Sequence, residues 1–229
     1  SPHSGVKLES KYVGRWRRIF EDGTSLPDSA KVIWLQTHKF FADIRIPSES
    51  RKHQMSFAGH TVIKDDRCEW HQWCGLGVPI TDTARLEWLD AFKIKEYCDD
   101  GAIEIWEKED KKIERIMSLQ LIDEQTIQTA SSEYNHSKSQ KGFFLVVGDD
   151  FMRVLGDYEN GTHESYYGKI SSSGDWTVSD STVSTADGHI LYHDCVMRKF
   201  GDIIMERVDS TTVRRWLISE LEGEISIIF

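Results

Sequence analysis

Three short stretches carry the residues best suited to chemistry. The first is Cys68-Glu69-Trp70-His71-Gln72-Trp73-Cys74. On a strand, Cys68, Trp70, Gln72 and Cys74 share one face and Glu69, His71 and Trp73 the other, because side chains alternate. If Trp70 points into the core, His71 is ordinary surface. If His71 points inward, a group that titrates near neutrality lines a cavity, where it could move protons or anchor a ligand. The second stretch is Ala42-Asp43-Ile44-Arg45-Ile46, in which both charges fall on one face. Toward solvent they support each other weakly. Inside a cup, Arg45 could grip a carboxylate or enolate oxygen while Asp43 holds the guanidinium in place. The third is the set His38, His60 and His71, separated by 22 and 11 residues. Neither spacing matches a metal motif, so no metal site is expected. His189 and His193 would lie roughly 13 Å apart on a strand, too far to share an ion.

Short β-type segments separated by turn residues must position these groups, and no amphipathic helix pattern persists over several turns. Strands are expected at Gly14–Glu21, Lys31–Gln36, Phe40–Ile46, Thr61–Lys64, Arg67–Trp73, Ala84–Leu89, Ile94–Cys98 and Ala102–Lys108. The second part should hold Ile113–Ile122, Gln125–Ala130, Gly142–Val147, Phe151–Leu155, His189–Phe200, Ile203–Val208 and Arg214–Leu221. Asp22-Gly23, Asp65-Asp66, Asp99-Asp100-Gly101, Asp149-Asp150 and Gly201-Asp202 suit hairpin turns. Ser48–Ser56 and Glu159–Ser172 are the candidates for short helix or long loop, and the polar run Ser171–Asp187 reads as an exposed loop. So many strands exceed one small barrel. The expectation is an all-β, antiparallel, calycin-like arrangement in two barrel-like halves, residues 11–112 and 113–229, with little helix.

Composition narrows the function. The 229 residues are 39% hydrophobic and 11% aromatic, and the formal charge is -10. That charge opposes nucleic acid as a partner, which needs a basic surface. No apolar run approaches the roughly 20 residues of a membrane span. Cys68, Cys74, Cys98 and Cys195 are sparse and form no C-x-x-C pair. They read as reduced thiols of a cytoplasmic protein, the alternative being a Cys68–Cys98 bridge. Ser1–Gly5 resembles a trimmed end, which leaves a removed leader open. There is no G-x-S-x-G, P-loop, G-x-G-x-x-G, H-E-x-x-H or EF-hand signature. No cofactor is expected. The acidic run around Trp106 (Glu104, Glu107, Glu109, Asp110) reads as a solvated strand end.

Gly14-Arg15-Trp16 resembles the G-x-W of the strand that seals one end of a lipocalin-like barrel. With Arg17-Arg18, Trp34-Leu35-Gln36, Ala42 through Pro47, Phe57-Ala58-Gly59 and Cys68-x-Trp70-His71, the chain resembles a family of uncharacterised bacterial proteins with fungal relatives. Arg85-Leu86-Glu87-Trp88 and Trp106-x-Lys108 continue the pattern. The resemblance implies two lipocalin-like halves and brings no established activity. Three functions follow from such a cup. The favoured one is a binding protein holding a small hydrophobic or planar molecule, with Trp34, Gln36, His60, Trp88 and Trp106 as contacts. A cofactor-free isomerase, cyclase or dehydratase would use His71, Asp43 and Arg45 for acid–base work. A scaffold for other proteins would have its barrels filled with side chains. Fold does not choose among the three, and a homodimer stays open.

Overall fold

The computed structural model of the chain describes residues 6–22, 31–46, 55–75, 80–127, 134–137, 141–157, 162–183, 188–192 and 197–223. The first strands are β1 (Gly14–Asp22), β2 (Lys31–Gln36), β3 (Phe40–Ile46) and β4 (Met55–Lys64). They continue with β5 (Arg67–Gly75), β6 (Thr81–Asp90), β7 (Lys93–Cys98) and β8 (Ile103–Lys108). Sequence neighbours pair antiparallel, and β1 returns to β8 from Trp16↔Lys108 to Asp22↔Ile103, which closes a barrel. The second set is β9 (Arg115–Ile127), β10 (Tyr134–Ser137), β11 (Lys141–Val147), β12 (Asp150–Asp157) and β13 (Thr162–Ile170). It ends with β14 (Trp176–Ser181), β15 (Ile190–Tyr192), β16 (Met197–Phe200), β17 (Ile203–Arg207) and β18 (Thr212–Gly223). These form one antiparallel sheet in the order β15-β14-β13-β12-β11-β9-β18-β17-β16, with β10 paired to β9. Helix is confined, among the described residues, to a single 3-10 turn at Ser10–Tyr12.

Alternation along β2 and β3 explains how the two sheets meet. Trp34, Phe41 and other inward residues build the barrel core with Trp16, Trp70, Ile94 and Trp106. The alternate residues Ile33, Leu35, Phe40, Ala42 and Ile44 point out of the barrel, yet they are just as buried. They pack on Phe143, Leu145, Val147, Met152 and Val154 of β11 and β12. Strands covered on both faces read as continuous apolar runs. The other face of the second sheet has its own core of Leu119, Phe144, Val146, Phe151, Trp176 and Trp216.

One end of the barrel is sealed by the Gly14-x-Trp16 element. Trp16 is fully buried, stacks on Trp34 with centroids 5.3 Å apart, and donates its indole N–H to the Tyr12 carbonyl at 2.9 Å. A Cβ on Gly14 would lie 2.6 Å from the Lys108 stem. That stem crosses the spot and carries its ammonium to 5.6 Å from the Trp16 ring. Gly14 is therefore there to let a lysine lie across the plug.

Several local expectations are corrected. Glu159–Ser172 is no helix where it is described, since Thr162–Ile170 is strand β13. The run Ser171–Asp187 contains strand β14 at Trp176–Ser181, where Trp176 and Val178 are buried. Of Ser48–Ser56, residues 48–54 lie outside the described set, and Met55 and Ser56 begin β4. Ile113–Ile122 and Gln125–Ala130 merge into β9 up to Ile127. His193 and Cys195 fall outside the described residues, while Cys68, Cys74 and Cys98 are free thiols.

Candidate functional site

At the end of the barrel away from Trp16, inward side chains from seven strands, β2 to β8, border a pocket. Trp34, Phe41, Phe57, Trp70 and Trp106 are its aromatic walls. Asp43, Arg45, Gln72, Asp82 and Glu96 are its polar lining. The gap spans about 320 Å³ including space open to solvent, and its free cavity volume is about 20 Å³. That room fits about one or two waters. The pocket therefore suits a compact group, and a drug-sized planar molecule, which needs roughly 300–1,000 Å³, would have to displace side chains.

The polar groups form two linked sets. Arg45 donates its Nε–H to Asp43 Oδ1 at 3.1 Å, and its guanidinium lies 5.1 Å from the centre of the Phe57 ring. Across the cup, Trp106 Nε1 donates to Glu96 Oε2 at 2.7 Å, and the Cys98 thiol faces Glu96 Oε1 at 3.4 Å. Glu104 is hydrogen-bonded to Glu96 and accepts from Arg18 Nη1 at 2.8 Å. Arg18 Nη2 also reaches Glu21 Oε2 at 3.1 Å. Glu96 and Glu104 are both buried. Burial pushes the Glu96 carboxyl well above the usual carboxylate range; Glu104 and Asp82 add to the push and the Trp106 N–H opposes it. Burial also raises Asp43 and Asp82, with Arg45 pulling each back. Burial works against the Arg45 cation, but Asp43 and Glu104 outweigh it. The thiols are poor nucleophiles: burial pushes Cys74 up to about 12, and raises Cys68 and Cys98 as well.

The sequence-derived residues do not all meet in one place. Asp43, Arg45, Trp34 and Trp106 meet in the pocket. Gln36 is inside but already occupied: its amide accepts from Trp34 Nε1 and Thr61 Oγ1 and donates to the Thr37 and Phe40 carbonyls. Trp88 packs at the sealed end, 5.8 Å from Trp16 and 5.4 Å from Tyr12. His71 is not in the cup, because Trp70 and Gln72 take the inward positions on β5 and period two sends His71 outward. It pairs with His60 across the strands, the rings parallel within 3° and 4.4 Å apart. Trp73 Nε1 donates to His60 Nδ1 at 2.6 Å, and Thr81 Oγ1 lies 3.2 Å from His71 Nδ1. His38 sits elsewhere, beside Leu8 and Glu222, so the three histidines do not converge. Glu96, Cys98 and Glu104 do bring potential ligand atoms within 4.8 Å of one another, although burial raises Glu96 and Cys98 and so disfavours the deprotonated forms that bind metal.

Sequence reading missed Gln72, Asp82, Glu96 and Glu104. The signal was the alternation Ile94-Glu96-Cys98 and Glu104-Trp106-Lys108, which puts acids on the faces of buried apolar residues. Reading Glu104 with Glu107, Glu109 and Asp110 as one solvated run hid that alternation. The second sheet has a buried ionic cluster as well. Arg214 bonds Glu206 at 3.2 Å and Glu124 at 3.0 Å, and Arg153 bonds Glu164 at 2.9 Å. These groups pair with one another, as members of a structural network do.

The features define a class: an all-β protein with a closed up-and-down barrel, a second antiparallel sheet packed on its wall, and a small aromatic-walled cup. No protein-family model and no curated protein matches the sequence. Among solved structures the chain is similar to the uncharacterized protein YLR301w from Saccharomyces cerevisiae, with a TM-score of 0.62 and 13% identity. That match covers 92% of this chain and 99% of the other. At this identity the likeness shows the fold alone. Among the described residues no helix is long and apolar enough to cross a membrane.

Proposed function

We propose that the barrel of β1–β8 is a binding module for a small molecule, held by a compact group in the cup. One observation carries the reading. Asp43, Arg45, Gln72, Asp82 and Glu96 arrive from four strands at a single opening in an otherwise aromatic interior. A barrel needs no charged side chains inside for stability, since burying them is costly unless they are paired. Charged groups at the mouth of an apolar pocket are the usual way a site fixes a ligand's orientation. The free thiols Cys68, Cys74 and Cys98 support a reducing, cytoplasmic setting for this module.

The test is a titration with small cationic, neutral and anionic probes, read by tryptophan fluorescence and by amide resonances around Asp43, Gln72 and Glu96. At least one charge class should bind. Gln72→Trp, which fills the mouth, should weaken that binding at least tenfold while leaving the unfolding midpoint within a few degrees. If no probe binds wild type, or if Gln72→Trp binds as wild type does, the cup is only a filled core and the scaffold reading replaces this one.

A further inference from the structure

The cup holds more acid than base. Asp43, Asp82, Glu96, Glu104 and Glu21 surround it with Arg18 and Arg45, five carboxyl groups to two guanidiniums. Arg45 is taken by Asp43 and Arg18 is shared by Glu104 and Glu21. Among the described residues no cationic side chain forms a close ion pair with Asp82 or Glu96; Arg45 acts on both only from farther away. Ionised together, these groups would be an uncompensated negative charge in a space walled by indole and phenyl rings, which is strongly unfavourable. Burial and the neighbouring Glu104 and Asp82 favour the protonated form of Glu96, so a proton can stand in for a missing cation there.

The aromatic walls favour the same kind of occupant. Trp34, Trp70 and Trp106 meet at right angles, with Trp34–Trp70 at 82° and Trp34–Trp106 at 81°, so ring faces and edges both border the pocket. Ring faces attract cations, and carboxylates accept from N–H donors. The small free volume admits an ammonium head with its substituent directed to the mouth. The net charge of -10 draws cations toward the protein from a distance. We propose that the ligand of this cup is a small organic cation with an ammonium head group, seated between the carboxyl groups of Asp82 and Glu96 and the indole walls. It enters in exchange for the proton that burial favours on Glu96. The proposal rests on the binding reading above and names its ligand class.

The exchange balances. One ammonium ion enters, one proton leaves to solvent, and the cup's charge is unchanged. The groups facing Glu96 are Cys98 on its own strand, Glu104 on β8, Asp82 on β6 and Cys68 on β5. Arg45 and Asp43 face it from β3 and Arg18 reaches Glu104 from β1. A guanidinium does not lose its proton in a protein, and burial raises the Cys68 and Cys98 thiols, so the exchanged proton is assigned to Glu96. Since binding releases a proton, affinity must rise with pH until the free cup has itself lost that proton.

The experiment compares n-butylammonium, n-butanol and butyrate, three probes of one size and different charge, with calorimetry and tryptophan fluorescence from about pH 5 to 8. Butylammonium should bind at least tenfold more tightly than butanol, and butyrate should bind least. Its dissociation constant should tighten by up to tenfold per pH unit, the limit for release of one proton. Glu96→Gln still accepts the Trp106 N–H; it should weaken butylammonium and flatten the pH dependence while butanol binding is unchanged. Asp82→Asn, at the half-buried mouth, should weaken butylammonium but keep the slope. If butanol or butyrate binds the wild-type cup as well as butylammonium, or if the cation's affinity ignores pH, the cation-for-proton exchange is wrong and the binding cup stands. If none of the three perturbs the cup, the binding reading falls with it.

Discussion

Glu96 shows how one buried acid links stability to function. In the folded chain its carboxyl is pushed well above the usual range by burial, next by Glu104 and Asp82. In the unfolded chain it titrates normally, near 4.3 as for a free glutamate side chain. Above that pH the folded state holds more protons than the unfolded one, so Glu96 contributes stability at low pH that is lost as pH rises toward its folded pKa. Glu96→Gln keeps the shape and the Trp106 bond without the ionisation. Its stability should match wild type in acid and exceed it increasingly toward neutral pH, by at most about 1.4 kcal/mol per pH unit. Urea unfolding of both proteins from acid to neutral pH checks this, and a variant weaker than wild type at every pH would contradict it. At this scale the sequence was half legible. The pairing of Asp43 with Arg45 follows from their shared face. Whether Trp70 or His71 faces the cup does not, because β5 carries aromatic residues on both faces and period two only says that they differ.

The β4–β5 hairpin shows what local sequence can and cannot specify. Its turn is legible: Asp65-Asp66 joins the strands in two residues, and Asp65 takes a left-handed backbone (φ 57) that aspartate tolerates. The bulge at Ala58/Gly59 is not, although it re-aims the strand so that Gln72 faces the cup and Cys74 the second sheet. Gly59 has a steric reason to be there. A Cβ on it would fall 1.8 Å from the His71 carbonyl oxygen and 2.6 Å from Trp73 Cδ1. Backbone cannot yield as a side-chain tip can, so Gly59→Ala should cost at least the ~1–3 kcal/mol typical of overpacking. It should also loosen the Trp73–His60 contact, visible as a shift in tryptophan emission. A loss below about 0.5 kcal/mol, the scale of ordinary surface changes, would mean the hairpin re-registers freely. Strand β13 was missed for a related reason: Tyr166 and Tyr167 are buried on opposite faces, so no alternation of polar and apolar residues marks it.

For the molecule as a whole, the two sheets were legible from the number of short strands and their turns. Their mutual packing was not, since Ile33, Leu35, Phe40 and Ile44 look in sequence like more barrel interior. The outer wall of the barrel is in fact a second core, shared with Phe143, Leu145, Met152 and Val154. A shared core has a consequence for cooperativity. Removing side chains from either side of it weakens both sheets, because each sheet's apolar face is covered by the other. Leu35→Ala and Leu145→Ala, both at fully buried positions, should each cost about 2–5 kcal/mol and lower one common unfolding midpoint. A chain ending at residue 112 would expose the β2–β3 outer face to water, an apolar patch of the kind that drives association. That fragment should aggregate, or melt well below the full chain. Two separate calorimetric transitions, one moved only by Leu35→Ala and the other only by Leu145→Ala, would show instead that the sheets fold independently and that their contact adds little. The cup depends on the outcome. Asp43 and Arg45 reach it from β3, whose other face carries Phe40, Ala42 and Ile44 into the shared core. Under the cooperative expectation, loosening the second sheet should weaken butylammonium binding in Leu145→Ala even though Leu145 does not line the pocket.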